Sequence, residues 1–210
     1  MCCPKAWEFL YHTATDFVPV DEMLDGLGER RVVKDLKEQY PSAEFVKIGW
    51  QHRADDSFEV EIPDLPADKT DCLIAPRRKP NSSTHRDWNG WIEMAKALQD
   101  AGKTVKAIGR EDMSFDCGIP FVEDLRDIAS HMAHTRYVVS TDSGLAHLAI
   151  LLKVPLIVLW GTPVGVIPGQ AYEKGCHKRM EAQKRGVVEH IEGAWENVPF
   201  AIEEVLRRLE

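Results

Sequence analysis

Short apolar runs alternate with amphipathic segments along the chain after residue 70. The runs cover residues 72–75, 105–108, 137–139 and 156–160, and each reads as a buried strand. Between them, apolar residues recur every three or four positions, as they do on one face of a helix. Continuous apolar strands separated by helices predict a parallel sheet that is covered on both faces.

The first predicted helix covers residues 88–101. The Asp87 side chain precedes it and is placed to cap its first turn. Gly102 follows it and is placed to end it. Its apolar residues are spaced to share one face, and they are Trp88, Trp91, Ile92, Ala95 and Leu98.

Three further segments have helical spacing. They are a segment around Ile128, the segment 144–152, and a C-terminal segment that starts near Pro199. Proline is favoured in the first turn of a helix, where its missing N–H costs nothing. The strands and helices together predict an α/β fold, a Rossmann-like doubly wound parallel sheet, over residues 71–210. Ligands of such sheets bind at the carboxyl ends of the strands.

Residues 1–70 have a less regular pattern. Residues 62–70 contain two prolines and several charged side chains, which predicts a linker. Before it, residues 32–40 predict a helix, and residues 43–48 and 58–62 predict strands. We therefore expect a short N-terminal αβ segment, residues 1–70, ahead of the Rossmann-like domain.

Composition and charge exclude several classes of protein. A chain with 44% hydrophobic and 29% charged residues is neither disordered nor collagen-like. No apolar run approaches the ~20 residues of a membrane-spanning helix, and the N-terminus does not resemble a secretory signal. A net charge of −8 disfavours nucleic acid as a partner. Five cysteines without a C-x-x-C pair predict reduced thiols and a cytoplasmic location.

The segment from residue 137 to 161 carries the strongest chemical signal. A predicted strand runs into Thr141, Asp142 and Ser143, and a helix begins at Gly144. The start of a helix has unpaired amides and a positive dipole end, and a glycine lets an anion approach the backbone. His147 lies one turn further, on the same face as Ser143. This combination predicts a phosphate or diphosphate site.

Each of these residues also has a simpler interpretation when it is taken alone. Ser143 is then an N-cap, Asp142 a turn former and His147 a surface histidine. Their combination at a strand-to-helix turn of a parallel sheet is what favours anion binding.

The same segment resembles a known signature. Residues 141–149, TDSGLAHLA, followed by Pro155 and Gly161-Thr162-Pro163, are similar to the donor-site signature of glycosyltransferase family 9, the ADP-heptose:lipopolysaccharide heptosyltransferases. Upstream, Arg86-Asp87-Trp88 and residues 124–129 also resemble that family. The resemblance covers about residues 71–209.

The resemblance implies a GT-B donor lobe that holds a nucleotide-diphospho-sugar. It implies that Asp142, Ser143, Gly144 and His147 contact the diphosphate and sugar of the donor, with Thr141 and Thr162 in the same site. Arg86, with hydroxyls from Ser82 and Ser83, would face the phosphates from the opposite loop, and Glu111 would lie near the ribose. A guanidinium suits phosphate because it donates two parallel hydrogen bonds. We expect no metal ion or cofactor, since helix dipole and cations can carry the charge of the leaving diphosphate.

The N-terminal segment departs from the family pattern. Full members of the family that this chain resembles have a second Rossmann lobe, which binds the acceptor. In this sequence about 70 residues stand in its place, so we expect a much shortened acceptor lobe. Asp25 falls at the position of the family's general base, but its neighbours do not keep the Gly-Asp order. His12 and Asp16 are alternatives in the same segment. A surface helix cap is the simpler interpretation of Asp25.

Two functions from different classes remain open at this stage. One is a glycosyltransferase that moves a heptose-like or other sugar from a nucleotide donor to an unknown acceptor. The other is a non-catalytic module that binds a nucleotide or nucleotide sugar and completes its site in a homo-oligomer. A nucleotide-sugar epimerase or hydrolase is a more remote third, because a fold does not fix its chemistry.

Overall fold

The computed structural model describes residues 2–4, 18–20, 38, 68–78, 87–161 and 187–210. Contacts divide the chain into two compact units, Met1–Glu61 and Ile62–Glu210. In the first unit, strands β1 (Cys2–Pro4) and β2 (Val18–Val20) pair in parallel. The elements expected within residues 32–62 lie outside the described residues, except that Glu38 is helical and exposed.

The second unit contains a parallel sheet of six strands. In chain order they are β3 (Thr70–Ile74), β4 (Val105–Ile108), β5 (Phe121–Val122), β6 (Thr135–Ser140), β7 (Leu156–Leu159) and β8 (Val188–Ile191). Their order across the sheet is β5-β4-β3-β6-β7-β8. Counted from the first strand of this sheet, that is the Rossmann order 3-2-1-4-5-6. The predicted α/β fold class is therefore confirmed.

Four α-helices in the described part of this unit cover the sheet. They are α1 (Trp91–Asp100), α2 (Leu125–Ala133), α3 (Gly144–Leu151) and α4 (Val198–Arg208). Helices α1 and α4 share one apolar cluster with Ile74 and Val139 of the central strands. The next residues toward the N-terminus, Leu73 and Val138, are also fully buried. Because successive strand residues point to opposite faces, both faces of the sheet are covered.

The start of α1 differs from the sequence prediction. The helix begins at Trp91, with Gly90 at the N-cap and no side-chain cap, so the predicted Asp87 cap is wrong. The reason is Trp88, which is fully buried and whose indole N–H donates to the Ala194 carbonyl at 2.8 Å. This bond anchors Trp88 to the turn before α4 rather than to the first turn of a helix.

The buried face of α1 also differs by one residue. Ile92 is 52% exposed, whereas Met94 is fully buried. Trp91, Met94 and Leu98 are spaced for one face of a helix, and Ile92 lies about 100° away from Trp91 around the axis. Gly102 adopts a φ of +70° just after the helix, a conformation that glycine favours, and it ends α1 as predicted.

Two strands of the six-stranded sheet have no clear signal in the sequence. β5 is only two residues long, and β8 carries Glu189 and His190 between its apolar residues. Both lie at the edges of the sheet, where burial is less complete than in the centre. The other four strands and the four helices lie within a few residues of their predicted positions.

Asp71 joins the beginnings of β3 and β4. Its Oδ2 accepts hydrogen bonds from the Thr104 amide at 2.9 Å and from the Thr104 hydroxyl at 2.7 Å. The Asp71 amide in turn donates to Thr104 Oγ1 at 2.8 Å. The hydrogen bonds from Thr104 lower the pKa of Asp71, and the bond from the backbone amide has the larger effect.

We predict that Asp71→Asn lowers the free energy of unfolding by about 1 kcal/mol at pH 7. A carboxyl group whose pKa is lowered by folding stabilises the protein above its unfolded pKa. That stabilisation is lost as the pH falls through the folded pKa. The difference between wild type and variant should therefore shrink as the pH drops below the ordinary aspartate pKa of about 3.9.

Denaturant titrations at neutral and acidic pH measure this difference. The control is Asp68→Asn, because the Asp68 side chain is 92% exposed and forms a surface ion pair with Lys106 at 3.4 Å. Its loss should cost less than about 0.5 kcal/mol at either pH. A difference for Asp71→Asn that stays the same in acid would contradict the account.

Candidate functional site

The candidate site lies where the strand order of the sheet reverses. The chain proceeds from β3 toward one edge of the sheet, and then from β6 toward the other. In open α/β sheets this reversal leaves a crevice at the carboxyl ends of the two strands, where ligands bind. β6 ends at Ser140 and α3 begins at Gly144, so residues 141–143 form the turn at this place.

The loop after β3 borders the same crevice. Arg77 forms an antiparallel bridge with Ser114, and the Arg78 amide donates to the Met113 carbonyl at 2.7 Å. The Arg78 guanidinium lies 5.5 Å from the centre of the Phe115 ring, within cation–π range. These contacts tie Arg77 and Arg78, at the beginning of the loop after β3, to the segment that follows β4.

Ser143 caps α3, as its place before the helix suggests. Its Oγ accepts from the Ala146 amide at 3.3 Å. The same oxygen lies 2.9 Å from the hydroxyl oxygen of Ser140, which also lies 2.9 Å from the Thr141 carbonyl. Ser140 and Thr141 are completely buried, so the Ser140 hydroxyl that contacts Ser143 is shielded from water.

Ser140 is a residue that the sequence reasoning missed. It ends a strand whose preceding residues Val138 and Val139 are fully buried. The available signal was a hydroxyl at a position where the pattern predicts burial, because a buried polar group needs a hydrogen-bond partner.

Asp142 and His147 face each other across the start of α3. Asp142 Oδ1 lies 3.7 Å from His147 Nε2, a separation at which a protonated imidazole forms an ion pair. The Asp142 side chain is 13% exposed, and that of His147 is 31% exposed. The turn therefore presents a mostly buried carboxylate beside an imidazole that solvent or a ligand can reach.

The space in front of the first turn of α3 is open. A Cβ atom built on Gly144 would meet no atom of the described residues within 4 Å, and Gly144 is exposed. The amides of Gly144 and Leu145 have no acceptor within their own helix because they belong to its first turn. An anion can reach these amides without displacing a side chain of the described part of the chain.

Glu111 begins a short 3₁₀ helix, Glu111–Met113, beyond the carboxyl end of β4. It is exposed, and its amide donates to the Glu123 carboxylate at 3.3 Å. Of the predicted site residues, Thr141, Asp142, Ser143, Gly144 and His147 come together in one turn and helix start. Apart from Glu111, the other predicted site residues fall outside the described residues: Asp25, Ser82, Ser83, Arg86 and Thr162, with His12 and Asp16.

Gly161, from the predicted signature, has a packing role. A Cβ atom on Gly161 would overlap the ring of Trp195, which lies directly over the backbone. Next to it, the Trp160 indole N–H donates to His190 Nδ1 at 2.8 Å. A glycine at this position is therefore required by the fold of the β7 end, whether or not a ligand binds there.

The described residues contain neither a metal-binding cluster nor a membrane-spanning helix. Within the ranges that the structure describes, no cluster of three or more His, Cys, Asp or Glu side chains is arranged to hold a metal ion. None of the described helices has the length and apolar character needed to cross a membrane.

Comparison with known families identifies one match. Residues 123–184 match the model of glycosyltransferase family 9 (heptosyltransferase). The matched segment contains α2, β6, α3 and β7, and therefore the whole turn at the start of α3. The resemblance predicted from the signature is confirmed, over a shorter range than residues 71–209. A search of curated protein sequences gives no match.

Several solved structures are similar at low sequence identity. E. coli heptosyltransferase WaaC with ADP is 17% identical, with a TM-score of 0.47, over 93% of this chain and 60% of that one. E. coli ADP-heptose lps heptosyltransferase II is 17% identical, with a TM-score of 0.44, over 70% and 48%. The iron-containing dodecameric glycosyltransferase TibC from enterotoxigenic E. coli H10407 is 15% identical, with a TM-score of 0.45, over 73% and 49%.

The chain spans between 48% and 60% of the length of these solved proteins. The fold assignment rests on the strand order of the sheet and does not depend on these distant likenesses. Residues 123–184 of this chain therefore carry the sequence pattern of glycosyltransferase family 9, the family of the heptosyltransferases.

Proposed function

We propose that this protein is a glycosyltransferase that takes its sugar from a nucleotide-diphospho-sugar and binds the donor diphosphate at the start of α3. One observation carries the proposal. The turn of residues 141–144 lies inside the family 9 match and at the carboxyl end of β6, next to the reversal of strand order. Sequence similarity and fold topology thus indicate the same place.

The chemistry of the turn suits a leaving diphosphate. When the bond between sugar and phosphate breaks, negative charge increases on the diphosphate oxygens. The turn can stabilise this charge in two ways. The first-turn amides and the His147 imidazole can donate hydrogen bonds to it, and the positive end of the α3 dipole attracts it. Because the sheet holds them in place, little reorganisation is needed during the reaction.

Asp142 has a different role in this proposal. A carboxylate accepts hydrogen bonds and repels phosphate oxygens, so it does not suit the diphosphate itself. Asp142 Oδ1 lies 3.7 Å from His147 Nε2. It is therefore beside the proposed phosphate site, where the sugar of the donor would begin. We assign Asp142 to the sugar hydroxyls and to orienting the His147 ring.

The remaining assignments rest on the resemblance. Arg86, Ser82 and Ser83 would close the site from the loop after β3, Glu111 would contact the ribose, and Thr162 would complete the donor pocket. Metal-independent transfer, a cytoplasmic location and assembly into a homo-oligomer belong to the same proposal. The sugar, the base and the acceptor are left open.

A donor-binding module without transfer activity is the competing function. The observation in its favour is that the turn at the start of α3 presents donors for a diphosphate but no evident base for an acceptor hydroxyl. The test is to incubate the protein with ADP-, UDP- and GDP-sugars and to measure release of the nucleoside diphosphate. Release that depends on an added acceptor supports the transferase. Binding without release, across a broad acceptor panel, supports the module instead.

We predict that Gly144→Val weakens binding of a nucleoside diphosphate at least about tenfold. The open space at Gly144 lets the variant fold, while its branched side chain would occupy the path of the phosphate to the amides. Calorimetric titration with ADP, UDP and GDP measures the dissociation constants. The control is Ala133→Val, an exposed position at the end of α2. A folded Gly144→Val protein with wild-type affinity would show that the site lies elsewhere.

We also predict that Asp25→Asn keeps donor binding and lowers the rate of transfer by about 10²–10⁴-fold. The donor turn supplies groups that stabilise the leaving diphosphate, so the base for the acceptor hydroxyl must come from another segment. The control is Glu38→Gln, an exposed carboxylate in the same N-terminal unit. Unchanged transfer by Asp25→Asn would move the base to another group, with His12 and Asp16 the next to test.

A further inference from the structure

Ser140 is a fully buried hydroxyl directly beneath the proposed diphosphate site. Its Oγ lies 2.9 Å from the Thr141 carbonyl oxygen and 2.9 Å from Ser143 Oγ. Ser143 Oγ in turn accepts from the Ala146 amide at 3.3 Å. Among the described contacts, Ser143 is the side chain through which the Ser140 hydroxyl reaches the ligand-facing side of the turn.

Counting protons shows that these contacts allow two arrangements. Each serine hydroxyl has one proton to donate. If Ser140 donates to the Thr141 carbonyl, then Ser143 must donate to Ser140, and its proton points into the protein. If Ser140 donates to Ser143, then Ser143 accepts from both Ser140 and Ala146, and its own proton is available to a ligand.

A bound diphosphate would favour the second arrangement. Hydrogen bonds to an ionised oxygen are about twice as strong as those between neutral groups. The free energy gained by the Ser143 hydrogen bond to phosphate can therefore exceed the free energy lost when Ser140 no longer donates to the Thr141 carbonyl. Because Ser140 is buried, water does not compete for its hydroxyl, and its proton has only these two acceptors among the described contacts.

We propose that Ser140 is a positioning residue that directs the Ser143 hydroxyl proton toward the donor diphosphate. Ser140 does not touch the donor. The inference rests on the proposed function, because it needs a diphosphate at the start of α3. It adds a residue to that site whose effect must pass through Ser143.

A double-mutant cycle tests this directly. Ser140→Ala, Ser143→Ala and the double variant are titrated with whichever of ADP, UDP and GDP binds the wild type most tightly, and with the matching nucleoside. We expect Ser140→Ala to weaken diphosphate binding by about fivefold and to leave nucleoside binding unchanged. In the Ser143→Ala background the same change should have no further effect on diphosphate affinity.

The control is Ser130→Ala, another buried serine of the same unit, located on α2. It should leave diphosphate affinity unchanged. Equal weakening of diphosphate and nucleoside by Ser140→Ala, or full additivity with Ser143→Ala, would show a purely structural role and overturn the inference.

The outcomes also separate this inference from the proposed function. If Ser143→Ala weakens diphosphate binding and Ser140→Ala does not, the positioning role is wrong while the site stands. If the wild type binds none of the three nucleoside diphosphates, both the site and the role of Ser140 are wrong.

Discussion

The structure around the site depends on β6 being held in the middle of the parallel sheet. It pairs with β3 on one side and β7 on the other, and its residues Val138 and Val139 are fully buried. A strand bonded along both edges and buried on both faces cannot shift its register without exposing its apolar side chains. The turn after Ser140 is therefore fixed in space, and so is the first turn of α3.

As a result, the turn is buried where it leaves β6 and open to solvent where α3 begins. Ser140 and Thr141, where the turn leaves β6, are buried, whereas Gly144 is exposed and a Cβ there would meet no atom of the described residues within 4 Å. Hydrogen bonds are strong in a dry environment, and donors that are already oriented lose little entropy when a ligand arrives. We infer that the sheet serves the proposed reaction by orienting amides, hydroxyls and an imidazole before the donor binds.

Sequence reasoning predicted the parts of the fold that depend on burial. Central strands such as β6 are continuous apolar runs in the sequence. The end of the β6 run predicts where the following turn lies. The edge strand β8 was missed because Glu189 and His190 interrupt its pattern. The Asp87 cap was wrong because the hydrogen bond of Trp88 to a residue 106 positions away decides the local backbone. Ser140 was missed because its partners are visible only once the turn is folded.

The central claim is that a nucleoside diphosphate binds at the amides that begin α3. The most direct measurement is a titration of ¹⁵N-labelled protein with ADP, UDP and GDP, followed through the backbone amide resonances. The account predicts that the Gly144 and Leu145 amides shift most strongly, and that the matching nucleoside without phosphate does not move them. Saturable binding that leaves these two resonances unchanged would contradict it.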